Sequence, residues 1–332
     1  MWLDDLLAPL GGGGLIDRVD LVTDRIHDVL VSDAPVLGEA SRRVAGGGKR
    51  LRPIFSLSVA DIVGVFDDRV IDGAAAIELV QIGSLVHDDI FDEAATRRGV
   101  PTINAVEGAS PALLAGDFIL AKAGALAAGI DADAAALLAG TIVSLCLGQA
   151  AEMDDLHDLD RSLDAYHRSI VGKTSALFAA AAEMGAICAG LDHEQRAGCS
   201  RYGREFGTAF QLLDDMLDLV ADPERLGKPV GSDLSTGVYT HPVLLALDTA
   251  DGDGIRGLLE RRSNGDVLRA RQLVIGSGAL DVTLELAIEH ARSASAALSE
   301  VRLGESPLAP FPSAYLSSAL DHFTVGAWSV PR

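Results

Sequence analysis

Apolar residues recur at three- and four-residue spacing along most of this chain, as in AAAIELVQIGSLVHDDI, residues 74–90. With Ala, Leu, Glu, Asp and Arg dominant, that spacing predicts helices. Alternating β-branched runs bounded by turns are nearly absent. Glycine and proline punctuate the pattern at GGGKRLRP (46–53), RRGVPT (97–102), DPERLGKPVG (222–231) and GESPLAPFP (304–312). No polar stretch is long enough to divide the chain, and no solenoid-length repeat stands out. The prediction is a single all-α domain over residues 1–332, with roughly ten or more helices. The run GGGG at 11–14 marks residues 1–14 as an expected flexible segment. Residues 134–151, AAALLAGTIVSLCLGQAA, carry no charge and are of borderline length for a membrane span. Their Thr, Ser, Gln and glycines, without basic flanks, predict instead a helix buried in a protein core.

Composition narrows the partners. The 332 residues are 48% hydrophobic, enough for a sizeable core, and the formal net charge is -21. Such a chain repels nucleic acid and anionic lipid, so neither is expected as a partner. An anionic substrate needs clustered Lys and Arg, or bound cations. Cys146, Cys188 and Cys199 are few, odd in number and not at metal-ligand spacing. They read as small apolar side chains in a reducing compartment. The opening MWLDDLLAPLGGGG has acids where an export signal needs positive charge. The expectation is a soluble, cytoplasmic protein.

Two acidic clusters then demand an explanation: LVHDDIFDEAATRRG (85–99) and FQLLDDMLD (210–218). On a helix, positions i and i+4 fall nearly in line. Asp88 with Asp92, and Asp214 with Asp218, each share a face. Asp89 and Asp215 are turned about a quarter of the circle away. Like charges at this spacing repel, and burial beside apolar faces adds a desolvation cost. A bound cation offsets both. Oxygen-only donors suit Mg²⁺, which keeps several waters and bridges carboxylates to substrate phosphates. His87 points to another side of the helix and reads as a hydrogen-bonding neighbour. One such string can be a solvated acidic face. Two copies, each after an apolar run and near basic residues, favour the cation.

The basic residues lie close by. GGGKRLRP carries Lys49, Arg50 and Arg52 after three glycines that permit close backbone approach. Arg97 and Arg98 follow the first cluster, and Lys228 follows the second. VGKTSALF contributes Lys173 and Thr174. It has the tail of a phosphate-binding P-loop, but His167 stands where that loop needs glycine and no strand precedes it, so that reading fails. Two acidic faces with these cations fit one pocket for two diphosphates, enclosed by apolar helices.

At this point the sequence resembles the trans-isoprenyl diphosphate synthases, the polyprenyl synthetase family. The resemblance is dense over residues 40–245. It rests on GGGKRLRP, ELVQIGSLVHDDIFDEAATRRGVPT, LLAGDFILAKA, LGQAAEMD, IVGKTSALF, FGTAFQLLDDMLD and GKPVGSDL, standing in the family's order. It implies the isoprenoid synthase fold, helices around a deep central cavity, usually as a homodimer without stable membrane insertion. It implies head-to-tail condensation of isopentenyl diphosphate onto an allylic diphosphate. By resemblance Asp88, Asp92 and Asp214 hold Mg²⁺, with three ions expected when substrate is bound, and Asp89, Asp215 and Asp218 support them. Lys49, Arg52, Gln81 and Arg98 look like the isopentenyl diphosphate site. Arg97, Lys173, Thr174, Gln211 and Lys228 look like the allylic diphosphate site, with Lys173 and Lys228 stabilising the departing group. No protein nucleophile is needed for such chemistry.

The chain departs from the family at GVYTHP, where many relatives carry GKxTLP; Val238 and His241 are the changes. Gln81 stands where many long-chain relatives have His. Gly83 lies five residues before Asp88, about 7 Å along a helix, where short-chain relatives often place an aromatic floor. Gly83 and Ser84 cannot block a growing tail, which predicts a medium or long polyprenyl product. Gly83 also fits close helix packing, and a deeper floor from another helix could stop the product at twenty carbons. Two other readings compete. A terpene cyclase or irregular coupling enzyme usually keeps one acidic motif and loses the basic residues retained here as Lys49, Arg52 and Arg98. A regulatory subunit of a heteromeric synthase usually has degraded aspartate motifs, whereas both are intact.

Overall fold

The structure, a computed structural model, describes residues 6–46, 48–97, 99–226 and 230–324. Arg98 and Lys228, both expected at the site, lie outside the described residues. A 3-10 turn at Ala8–Leu10 leads into helix α1, Gly12–Val29. Leu6, Leu7, Leu10 and Leu15 are buried. The flexible segment expected from the glycine run is therefore corrected over residues 6–14. The leucines supply the apolar contact that holds the glycines in a helix despite their poor propensity.

Helices α2 (Pro35–Ala45), α3 (Leu51–Ile62) and α4 (Asp68–Phe91) follow. Asp67 caps α4 by accepting the Val70 N–H, and α4 is buried along most of its length. A two-residue antiparallel pair, Thr96–Arg97 with Val100–Pro101, turns at Gly99 in the left-handed region. Then come α5 (Ile103–Glu107), α6 (Ala109–Ile130) and α7 (Ala132–Asp154), the last capped by Asp131. Helix α8 (Leu163–Ile170) runs through a π-helix at Val171–Ser175 into α9 (Ala176–Cys188). Helix α10 (His193–Val220) opens with a capping box between Asp192 and Gln195. The remaining helices are α11 (Pro223–Leu226), α12 (Ser232–Thr236), α13 (His241–Leu247), α14 (Gly252–Arg261), α15 (Asn264–Gly276), α16 (Ala279–Glu300) and α17 (Phe311–Phe323).

The centre is aromatic. Phe55 of α3 lies 4.7 to 5.8 Å, ring to ring, from Phe178, Tyr202, Phe206 and Phe311. These rings tie α3, α9, α10 and α17 into one core.

Four helical stretches are long and apolar enough to cross a membrane, by length and composition. Asp68–Phe91 and Leu163–Cys188 are 72% and 67% buried, but α6 is only 28% buried and α7 only 22%. The core position expected for residues 134–151 is thus overturned. Only Ala134, Leu138, Thr141 and Gly148 of α7 are buried, a narrow stripe of mostly small residues. Val143 and Leu147 face outward, as do Leu113 and Leu114 of α6.

Candidate active site

The first acidic motif occupies the last turn of α4. The Asp92 N–H donates to the Asp88 carbonyl over 2.8 Å, so helical geometry continues through the motif and the two carboxylates share a face. Asp89 is turned inward, 3% exposed, and accepts the Arg97 Nε–H at 2.5 Å. Burial raises the pKa of Asp88; the Lys173 charge opposes it and Asp92 adds to it. Burial also raises Asp89, against the pull of Arg97. The ring of His87 reaches the Leu113 carbonyl at 3.3 Å and lies 3.6 Å from the Asp117 carboxylate.

The second motif lies on α10 and divides its labour. Asp214 is half-buried. The Tyr315 hydroxyl is pushed upward in pKa by burial and then by the Asp214 charge, with Arg52 opposing. Asp215 is 2% exposed. Its Oδ2 accepts the Tyr166 hydroxyl at 2.5 Å and its Oδ1 accepts Gln211 Nε2 at 2.8 Å. Burial and the neighbouring Asp233 hold its pKa well above the ordinary value. Asp218 is 1% exposed. It accepts the Asp233 N–H at 3.2 Å through its side chain and the Gly231 N–H at 2.6 Å through its carbonyl. One turn deeper on the helix, its carboxylate is engaged in anchoring the segment that follows Lys228.

A cavity of about 750 Å³ opens between α4, α6, α7 and the π-helix. Arg52, Gln81, Asp88, Lys173 and Thr174 stand on it, and its walls include Ser84, Leu113, Leu120, Ile142 and Leu145. Lys173 Nζ donates to Glu152 at 2.6 Å. Burial lowers the lysine's pKa, but Glu152 and Asp88 outweigh it and leave the ammonium favoured. The next residue, Thr174, donates its hydroxyl to Gln211 Oε1 at 2.7 Å. Of these two consecutive residues, Lys173 meets the first motif through the nearby Asp88 charge and Thr174 bonds the helix of the second. The backbones of Gly148 and Gly172 touch where α7 meets the π-helix, and this contact sets the depth of Lys173.

The basic segment splits. Arg50 takes a left-handed backbone conformation at the start of α3 and turns inward. It pairs with Glu78 of α4 at 2.7 Å, both side chains nearly fully buried, and also donates to the Ala45 carbonyl. Arg52 stays on the cavity with its guanidinium 4.4 Å from the centre of the Phe178 ring. Lys49 is exposed, 5.0 Å from the Phe323 ring. Gln81 and Arg97 also line a smaller cavity of about 180 Å³ on the flank of α4.

Gly83 is not on the cavity surface. A Cβ there would meet Leu120 Cγ at 2.9 Å and the Gly116 carbonyl at 3.4 Å. Of the two roles open from sequence, close packing against α6 is the one observed, and Leu120 is the side chain that reaches the cavity beside it. Ser84 lines the cavity as expected.

Sequence reading missed Glu152, Glu78 and Tyr166. Glu152 lies in LGQAAEMD, the acid that ends an uncharged run. Glu78 is the lone charge inside AAAIELV. Each was a signal, because an isolated charge in an apolar helix needs a partner. Nothing in the sequence points Tyr166 at Asp215.

Among the described residues no group of three or more His, Cys, Asp or Glu side chains forms a ready metal cage. Half-buried Asp88 and exposed Asp92 supply oxygen donors on one helix face, which fits a hard cation completing its shell with water and phosphate oxygens.

The polyprenyl synthetase family model matches residues 34–274. Heptaprenyl diphosphate synthase component 2 of Bacillus subtilis is 36% identical over 253 residues, 74% of this chain and 72% of that protein. Octaprenyl diphosphate synthase of Escherichia coli is 36% identical over 283 residues, 83% of this chain and 88% of that one. The crystal structure of polyprenyl synthase from Caulobacter crescentus, complexed with calcium and isoprenyl diphosphate, matches with a TM-score of 0.82 at 35% identity, over 94% of this chain and 97% of that one. The matched span, the relatives and the shared helical architecture agree: the chain belongs to the polyprenyl synthetase family of prenyltransferases.

Proposed function

We propose that this prenyltransferase condenses isopentenyl diphosphate head-to-tail onto geranyl, farnesyl or geranylgeranyl diphosphate and releases a medium or long polyprenyl diphosphate. The observation that carries the reading is the pair Lys173 and Thr174 on the cavity: the Lys173 ammonium, bonded to Glu152, is close enough to Asp88 to feel its charge, and Thr174 bonds Gln211 on the helix of the second motif. In this reading Lys173, Thr174, Gln211, Arg97 and Lys228 hold the allylic diphosphate. Lys49, Arg52, Gln81 and Arg98 hold isopentenyl diphosphate. Magnesium held by Asp88, Asp92 and Asp214 would neutralise the diphosphate as it leaves.

The chemistry asks little covalent work of the protein. The allylic carbon–oxygen bond ionises, and Lys173 meets the charge growing on the departing oxygen. To do so it exchanges Glu152 for phosphate. The π-bond of isopentenyl diphosphate attacks the allylic cation and leaves a tertiary cation; a proton lost from the methylene beside that cation restores a double bond, and the departing diphosphate accepts it. Leu120, Leu145 and Ile142 line the cavity that would keep water from the cation.

The walls support a long tail. Ser110 and Leu120 both line the cavity, ten residues or about 15 Å apart along α6. A product ending at Leu120 and Ile142 would be the geranylgeranyl alternative; one that passes them is longer. The retained cavity residue Arg52 speaks against a cyclase. The outward apolar faces of α6 and α7 support a homodimer. The Bacillus subtilis relative, a component of a synthase, raises the second reading of an unlike partner on the same faces. Three free thiols, with burial pushing Cys188 and Cys199 up to about 12, suit a reducing, cytoplasmic setting.

The test is incubation of the purified chain with Mg²⁺, isopentenyl diphosphate and each primer in turn, with product mass and sedimentation as readouts. Isopentenyl incorporation by a dimer of this chain alone is the expected result. No incorporation with any primer would refute the enzyme reading, and activity only with a second protein would replace the homodimer.

A further inference from the structure

Tyr166 sits behind the site, not in it. It is 2% exposed and lies between the Arg161 guanidinium, 5.5 Å from the ring centre, and the His241 ring at 5.7 Å. Both neighbours are themselves fixed. Arg161 donates to Asp155 at 2.9 Å, to the Tyr239 carbonyl at 3.1 Å and to Ser169 at 2.5 Å. His241 Nδ1 is 2.9 Å from Thr283 Oγ1. A buried ring held between these two fixed neighbours has its hydroxyl aimed at Asp215 Oδ2.

From there each bond dictates the next. With the Tyr166 hydroxyl donating to Oδ2, the other oxygen of Asp215 accepts the N–H face of Gln211. With its amide nitrogen committed, Gln211 must turn its carbonyl to Thr174, whose hydroxyl then donates rather than accepts. Phenol, carboxylate, amide and hydroxyl form one directed chain from the back of the site to its wall, and such chains act as a unit.

We propose that Tyr166 and Asp215 are positioning residues that orient Gln211 and Thr174, and with Thr174 the adjacent Lys173, toward the allylic diphosphate. The identity of that ligand rests on the function proposed above. The bonds of the relay run through Tyr166, Asp215, Gln211 and Thr174, on the allylic side of the proposed site, so isopentenyl diphosphate is expected to bind independently of it. It also gives His241 a role: the residue that departs from the family's leucine packs against Tyr166 instead of meeting substrate.

The test is calorimetric binding of two ligands, each with Mg²⁺: an allylic thiolodiphosphate that cannot ionise, and isopentenyl diphosphate. Tyr166→Phe keeps the ring in its clamp and removes only the hydroxyl. The expected result is about tenfold weaker binding of the allylic analogue, the scale of one buried hydrogen bond to a charged group, with isopentenyl diphosphate affinity unchanged. Combined with Thr174→Val, Tyr166→Phe should add no further loss, because both cut the same chain. Asp215→Asn, which must present an N–H to one of its two donors, carries the same expectation and serves if Tyr166→Phe does not fold. Equal weakening of both ligands, no weakening, or full additivity with Thr174→Val overturns the relay. A wild-type protein that does not bind the allylic analogue overturns the functional reading itself.

Discussion

A Cβ on Gly148 would stand 2.4 Å from the Lys173 nitrogen and 2.7 Å from the Gly172 carbonyl carbon, so α7 and the π-helix meet with no room for a side chain. Backbone cannot step aside as a flexible side chain can. Gly148→Ala must push the π-helix outward and carry Lys173 with it. The expected cost is about 1–3 kcal/mol of stability, the range for overpacking, together with a fall in turnover. Thermal unfolding and isopentenyl incorporation measure the two; an unchanged rate would mean that Lys173 needs no such placement.

Glu78 and Arg50 bind the basic segment to α4 from inside the protein. Removing one partner leaves a buried charge alone. Glu78→Ala is expected to cost about 3–5 kcal/mol, read by urea unfolding. Glu78→Gln, which retains an acceptor for the guanidinium, should cost less.

Leu120, wedged against Gly83, makes a prediction with opposite signs. Gly83→Ala displaces Leu120 toward the cavity it lines, so product should shorten. Leu120→Ala should lengthen it, because Leu120 is one of the side chains that bound the cavity on α6. In the double variant the shortening should vanish. Mass spectrometry of the products distinguishes this from a direct floor at residue 83, for which Gly83→Ala would shorten product with or without Leu120.

His241 has a pH signature. Burial, reinforced by His167 and His290, lowers its pKa from 6.5 to about 4. The unfolded chain takes up a proton near 6.5 and the folded one does not until much lower. The stability this neutral ring contributes is complete above 6.5 and is lost as pH falls toward 4. Between about pH 7 and about pH 5 the loss comes to about 2 kcal/mol. His241→Leu should flatten that part of the stability profile, measured by urea unfolding at both pH values.

The helical class was legible because apolar spacing is a backbone property that tertiary contacts seldom reverse. The acidic motifs were legible because carboxylates beside apolar runs are costly unless they serve a cation. What stayed hidden was partner choice across long separations. Asp214, Asp215 and Asp218 look equivalent in FQLLDDMLD, yet Asp214 remains accessible, Asp215 is locked by Tyr166 and Asp218 anchors a distant turn. Their difference lies in what α8 and residues 231–233 bring to them. Gly83 was ambiguous for the same reason: Leu120, 37 positions along in the sequence, decides which way its empty side faces. The apolar run 134–151 misled because hydrophobicity alone does not say whether the cover comes from the same chain.

The π-helix at Val171–Ser175 closes its bonds across five residues instead of four. Relative to an α-helix it holds a surplus residue, and one residue is about 100° of rotation. Deleting any single position there would let the rod from Leu163 to Cys188 relax into uninterrupted α-helix. Tyr166 would then swing away from Asp215 while Phe178 and Leu177 kept their seats in the core. The angular phase between the two ends of this rod is stored in that surplus, so drift by insertion or deletion is closed to this segment even where substitution is open.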